Sequence, residues 1–133
     1  MIKKPRITEA EWPIMKFLWE RESATAAQIV EAVSQSRDIS MRTIKALIRR
    51  LLDKEMISFT VDSKDSRVYH YKARVTQEEG IHDKNQSILN LVYEGKTGQL
   101  LTHFVGNADL EAEEIDSLLS LLEKKKAELK KPS

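Results

Sequence analysis

Arg42, Lys45 and Arg49 recur at intervals of three and four residues, a spacing that lines up cations along one side of a helix. Thr43 and Ala46 stand among them, and Arg50 lies on one flank. Arginine and lysine held on a rigid rod can donate to phosphate oxygens or to guanine O6 and N7, and an alanine methyl can touch a thymine methyl. Lys64 and Arg67 form a second basic pair, in and just after Asp62-Ser63-Lys64-Asp65-Ser66, a stretch of turn composition. Catalytic chemistry finds no comparable grouping. The histidines at 70, 82 and 103 have no His-x-x-x-His spacing, there is no cysteine, and there is neither a glycine-rich phosphate loop nor a nucleophile elbow. Glu113, Glu114 and Asp116 open a helix, where carboxylates suit the dipole. His82 beside Asp83 is the one pair resembling a ligand site, and it reads better as exposed helix surface. The expectation is no enzyme, no cofactor and no metal.

The elements that must position these cations can be read from periodicity. Ile44, Leu47, Ile48 and Leu51 form an apolar stripe opposite Arg42, Lys45, Ala46 and Arg49, and Ser40 is a candidate N-cap for that helix. Two helices are expected before it. The first follows the capping box Thr8-Glu9-Ala10-Glu11, with Ala10, Ile14, Phe17 and Leu18 inward, Ile7 and Trp12 as a staple, and a kink at Pro13. The second follows Thr25-Ala26-Ala27-Gln28, with Ile29, Val30 and Val33 inward. After the basic helix the period drops to two: Ile57, Phe59 and Val61 alternate with polar residues, and 67–72 alternate again beyond the turn. Three helices followed by a basic-tipped hairpin make a winged helix-turn-helix, with Arg42, Thr43, Lys45 and Ala46 toward base edges. Ser40, Arg49, Arg50, Lys64 and Arg67 would then meet phosphates.

The 133 residues carry 22 Lys+Arg and 21 Asp+Glu, a net charge of +1 that conceals a gradient. Residues 1–38 balance to zero, 39–75 carry +5 and 76–133 carry −4. Chance segregation on a solvated surface is the competing reading, but the positive segment coincides with the helix and wing just described. The start is a short basic arm, Met1–Arg6. With no apolar run of 18 residues and no signal-peptide pattern, a soluble cytoplasmic protein without membrane contact is expected.

From Thr76 the pattern is helical: one helix over 77–93, a short one with Leu100, Leu101, Phe104 and Val105, and a last one capped by Asp109 and carrying Ile115, Leu118, Leu119 and Leu122. Lys124, Lys125 and Lys126 at its end suit the helix dipole. Narrow apolar faces on fewer than 60 residues do not make a core alone. A second copy would bury Leu100, Leu101, Phe104, Leu118, Leu119 and Leu122; packing back on the first three helices is the alternative. The expected organisation is mainly α with a small β-hairpin wing: a DNA-binding domain over 1–75 and a helical dimerisation domain over 76–133.

The order of these features resembles the penicillinase-repressor (BlaI/MecI/CopY) family of bacterial transcription regulators. The residues that carry the likeness are Ile7 to Trp12, Met15 and Trp19; Ser40, Thr43-Ile44, Leu47-Ile48, Arg50-Leu51 and Lys54; Arg67, Tyr69 and Tyr71; and Leu100, Leu101, Phe104 and Val105 followed by the helix over 109–122. The resemblance implies a homodimeric repressor seated on a palindromic operator. In the antibiotic-responsive branch a membrane-bound sensor protease cuts an Asn–Phe bond; the corresponding pair here is His103-Phe104. The copper-responsive branch uses a C-terminal cysteine cluster, and this sequence has no cysteine. It also departs at Ala46, commonly threonine, and at Glu55, commonly glycine. A winged-helix module that docks a protein and never touches DNA is the reading to be set against the repressor.

Overall fold

The computed structural model describes residues 6–130, so the basic arm before Arg6 and the three residues after Lys130 lie outside it. The chain first turns on side chains. The Thr8 amide donates to Glu11 Oε1 (2.9 Å) and the Glu11 amide to Thr8 Oγ1 (3.2 Å), closing the expected capping box. That box forms a turn ahead of the helix rather than its first turn. Helix α1 runs over Trp12–Trp19, which puts Pro13 inside its first turn, where a missing N–H costs nothing. The kink expected at Pro13 is therefore absent, and Ala10 is exposed before the helix instead of facing the core.

Thr25 serves two elements. It lies in a short strand, β1 (Ala24–Thr25), and its extended backbone also makes it the N-cap of α2 (Ala26–Ser36), in a complete capping box with Gln28. The sequence pattern gave the cap without the strand, because two residues have no period. Ser40 caps α3 (Met41–Asp53) by accepting the Thr43 amide at 3.1 Å, as expected. The apolar stripe Ile44, Leu47, Ile48 and Leu51 is buried with Ile14, Met15 and Leu18 of α1, Ile29 and Val33 of α2, Met56 and Ile57 at the base of the hairpin, and Tyr71 in its second strand. Strands β2 (Ile57–Val61) and β3 (Tyr69–Ala73) pair antiparallel with Phe59 opposite Tyr71 and Val61 opposite Tyr69; β1 adds to the other edge of β3. The fold is a winged helix, and Arg67 and Val68 lie in the connecting loop rather than in the second strand.

Two contacts fix the C-terminal end of α3. Glu11, fully buried, receives Lys54 Nζ on Oε1, while Lys54 Nζ also donates to the Arg6 carbonyl at 2.7 Å. Glu11 Oε2 accepts no hydrogen bond among the described residues, and Arg50 Nε lies 3.6 Å from it. Burial pushes the Glu11 carboxyl up, but the Lys54 hydrogen bond and charge, together with the amide and hydroxyl of Thr8, outweigh it and hold the group below the usual carboxylate range. At the same helix end, Met56 N bonds Leu51 O and Glu55 N bonds Leu52 O, both at 3.0 Å, a Schellman closure. Glu55 occupies the left-handed position of this motif with φ +62°.

Past the wing, Thr76 and Glu79 form a further capping box that opens α4 (Gln77–Tyr93). Trp19 Nε1 donates to the Val75 carbonyl at 2.8 Å, and its indole lies over Gly80, where an added Cβ would come within 2.7 Å of the ring. The start of α4 is thus seated on α1. The chain divides into two compact units, the first ending at Ser87 and the second beginning at Ile88. The second unit holds the end of α4, α5 (Thr97–Asn107) and α6 (Ala112–Leu129). Its last helix is capped by Glu111 in a box with Glu114, not by Asp109, which lies two residues too early to reach the first-turn amides.

Two stability predictions follow from the α3 terminus. Lys54→Met leaves the buried Glu11 carboxylate undercompensated and should cost about 3 kcal/mol near pH 7. Because the folded Glu11 pKa is depressed, that contribution is present above the ordinary carboxylate pKa and lost as pH falls through the folded value, so the gap between variant and wild type should close in acid denaturant titrations. Glu55→Gly removes a left-handed glutamate and sacrifices only an exposed pair with Arg74 (3.7 Å), so it should raise stability by about 0.5–1 kcal/mol in thermal unfolding.

Candidate nucleic-acid interface

Burying Ile44, Leu47, Ile48 and Leu51 forces the other side of α3 outward. Arg42, Thr43, Lys45, Ala46 and Arg49 are all exposed on it, on one helix surface. Lys45 and Arg49 have no carboxylate partner among the described residues, so their charge is unspent. The base-facing set and the phosphate-facing Arg49 anticipated from the sequence thus share one rigid element. Ser40 is more constrained. Its hydroxyl accepts the Thr43 amide and donates to Thr43 Oγ1 at 3.0 Å, so an anion at this helix start would be met mainly by first-turn amides. Arg50 stands apart, half exposed but leaning on Glu11 at 3.6 Å, where it helps neutralise the buried carboxylate.

The wing tip is held by two aspartates. Asp62 Oδ2 accepts the amides of Lys64 and Asp65 at 3.0 Å, and its Oδ1 lies 2.9 Å from His70 Nε2. Asp65 accepts the Arg67 amide at 3.0 Å and pairs with its guanidinium through Nε at 3.1 Å and Nη2 at 3.2 Å. These bonds hold both carboxyls below their usual range: for Asp62 the His70 hydrogen bond comes first and the two amides next, and for Asp65 the Arg67 side chain comes first. The loop is preorganised by its own acids. Lys64 and Arg67 are exposed at the tip, Lys64 with a free ammonium among the described residues and Arg67 already carrying a counter-ion.

One feature of this surface escaped the residue patterns. Phe59 and Tyr69 stack with ring centroids 4.5 Å apart and planes 13° from parallel, yet they remain 44% and 39% exposed. The alternation of β2 and β3 shows which face they share; only the packed fold shows that the core leaves these two rings uncovered. Glu11 was legible as a capping residue but not as a buried ion, since its partners Lys54 and Arg50 lie about forty residues away.

In the second unit, the residues anticipated for a shared interface are mostly in water. Leu101 is 47% exposed, Phe104 57%, Leu119 52% and Leu122 55%; Leu118 is also exposed and Leu100 half-buried. No residue from Ile88 to Lys130 is buried. His103 and Phe104 lie within α5, and His103 Nδ1 is 3.3 Å from Tyr93 Oη. No group of three or more His, Cys, Asp or Glu among the described residues could hold a metal ion, and no helix there is long and apolar enough to cross a membrane.

Comparison with known proteins places this geometry among regulators. The family model described as penicillinase repressor matches residues 7–124. The methicillin resistance regulatory protein MecI of Mammaliicoccus sciuri is 33% identical over 123 residues, covering 92% of this chain and 98% of MecI. The penicillinase repressor of Bacillus licheniformis is 30% identical over 126 residues, covering 95% of this chain and 96% of that protein. Among solved structures, the DNA-binding domain of the repressor BlaI superposes with a TM-score of 0.51 at 25% identity, over 59% of this chain and 93% of that domain.

Proposed function

This chain belongs to the penicillinase repressor family, and we propose from that premise that it is a dimeric, sequence-specific repressor that binds a palindromic operator in double-stranded DNA and blocks transcription of the adjoining genes. The observation that carries the reading is the exposed cationic side of α3, whose opposite face is locked into the core. Arg42, Thr43, Lys45 and Ala46 enter the major groove from the N-terminal turns of α3. Arg49, the α3 start at Ser40 and the wing residues Lys64 and Arg67 grip the flanking phosphates. Arg50 contributes charge at the edge of this surface while serving Glu11. The DNA-binding domain is taken to span 1–75, and 76–133 to form the dimerisation segment.

Dimerisation is supported by the apolar residues that the second unit leaves uncovered. A second copy would bury Leu101, Phe104, Leu118, Leu119 and Leu122 with Leu100, and its two-fold axis would match the operator palindrome. The protein acts in the cytoplasm, without cofactor or metal. A sensor protease cutting within this segment would meet His103-Phe104, a pair exposed in α5.

Arg42→Ala or Lys45→Ala should cost about 1–3 kcal/mol of operator binding and relax base preference, whereas Lys64→Ala should weaken binding to all duplexes and lower the salt slope by about one. Gel-shift titrations at several salt concentrations separate the two outcomes. Unchanged affinity in all three variants, or no duplex binding at low salt, would favour a protein-docking module instead. Leu101→Asp or Leu119→Asp should yield monomers with weak operator binding; an intact dimer by sedimentation in both would move the interface elsewhere.

A further inference from the structure

The wing is longer than the core beneath it. On the hairpin face that meets the helices, Ile57 at the base and Tyr71 at mid-strand are buried, while Phe59, opposite Tyr71, and the Val61–Tyr69 pair nearer the tip are 44%, 49% and 39% exposed. The overhang and the outer side of α3 enclose a groove of about 830 Å³, within the roughly 300–1,000 Å³ that suits a small organic ligand. Its aromatic wall is the Phe59–Tyr69 stack with Tyr71 behind, Phe59 and Tyr71 having ring centroids 6.3 Å apart. Lys45 and Arg49 of α3 line the groove as well, with Arg67 from the loop between the strands. Asp53 is the one carboxylate among the lining residues, against these three cations.

An aromatic wall in the same groove as two uncompensated cations is complementary to one class of small molecule. We propose that this groove binds a planar organic anion of the aromatic carboxylate type, and that an occupied groove excludes DNA. The ring would pack against the exposed part of the Phe59–Tyr69 stack, and the carboxylate would accept from Lys45 and Arg49. The exclusion rests on the DNA-binding reading above, because Lys45 and Arg49 are two of the cations that reading assigns to the duplex. A ligand between α3 and the wing takes both the charges and the space through which a sugar–phosphate strand would pass.

The test uses sodium 2-naphthoate and its neutral counterpart 2-naphthylmethanol, titrated into the full chain without DNA and followed by amide chemical shifts. Naphthoate should give saturable shifts at residues 45–49, 59 and 67–71 with a dissociation constant of about 0.1–1 mM, and the alcohol should bind about tenfold more weakly. Phe59→Ser, and separately the double change Lys45→Gln with Arg49→Gln, should each weaken naphthoate about tenfold or more. Lys72→Gln, on the opposite face of β3, should change nothing. Absence of saturable shifts at these residues, or equal binding of acid and alcohol, would overturn the site whatever DNA does. A second arm adds a labelled duplex. Displacement of the duplex by naphthoate supports exclusion, and simultaneous binding of both overturns it. A chain that binds naphthoate in the groove but no duplex keeps the ligand site and removes the DNA reading alone.

Discussion

A single buried carboxylate sets the frame on which this winged helix is built. Glu11 leaves water completely, which is tolerable only because Thr8, Lys54 and Arg50 converge on it from a turn and from the end of α3. A leucine there would have packed as well, but it would not have fixed a distance or a direction. The carboxylate pins the C-terminal end of α3 to the start of α1, and Lys54 extends the clamp to the Arg6 carbonyl. With Ser40 capping the other end, α3 cannot slide or roll by the one residue that would turn its cations inward. Rigidity of the exposed surface is therefore a property of a buried ion pair some distance from it.

The same logic explains the wing. A seven-residue loop rich in charge would be floppy if its acids pointed at solvent. Here Asp62 and Asp65 spend their oxygens on nearby amides, on His70 and on Arg67. The cost is that Arg67 comes to any anion already paired, whereas Lys64 does not. Two basic residues that look equivalent in composition are thus unequal in what they can offer, and the difference arises from i to i+2 geometry within the loop.

These examples mark how far the sequence could be read. Helical stripes and caps are local, so α2, α3, α4 and the exposed side of α3 were legible from spacing, as was the hairpin. The α1 start lies a few residues beyond its capping box, a difference spacing does not show because a capping box and the first helical turn share one signature. Asp109 and Glu111 compete for one cap, and the winner depends on a reciprocal bond with Glu114 that composition ranks no higher. Strand β1 and the Glu11 clamp were not legible, because each depends on residues brought together across about forty to fifty positions, and the Phe59–Tyr69 stack was not, because its exposure depends on where the helices stop covering the hairpin. Glu55 is the intermediate case: the family's usual glycine pointed to a special backbone position, and only φ +62° shows the strain a side chain meets there.

The second unit poses an energetic problem that constrains any account of the whole. Ordering a residue costs about 1–2 kcal/mol of backbone entropy, and from Ile88 to Lys130 no residue is buried to offset it. Helices of this kind persist by burying their leucines against something else, and in the proposed dimer that partner is a second copy, which also serves the first unit. One α3 and one wing offer a handful of cations to a duplex. Two such sets on a common axis turn the second engagement into an intramolecular event, gaining affinity without any new contact, provided their separation matches a helical repeat of DNA. In the proposed dimer the acidic charge of the C-terminal segment then works for specificity, since a polyanion repelled from that half is left with the cationic side of α3 and the wing.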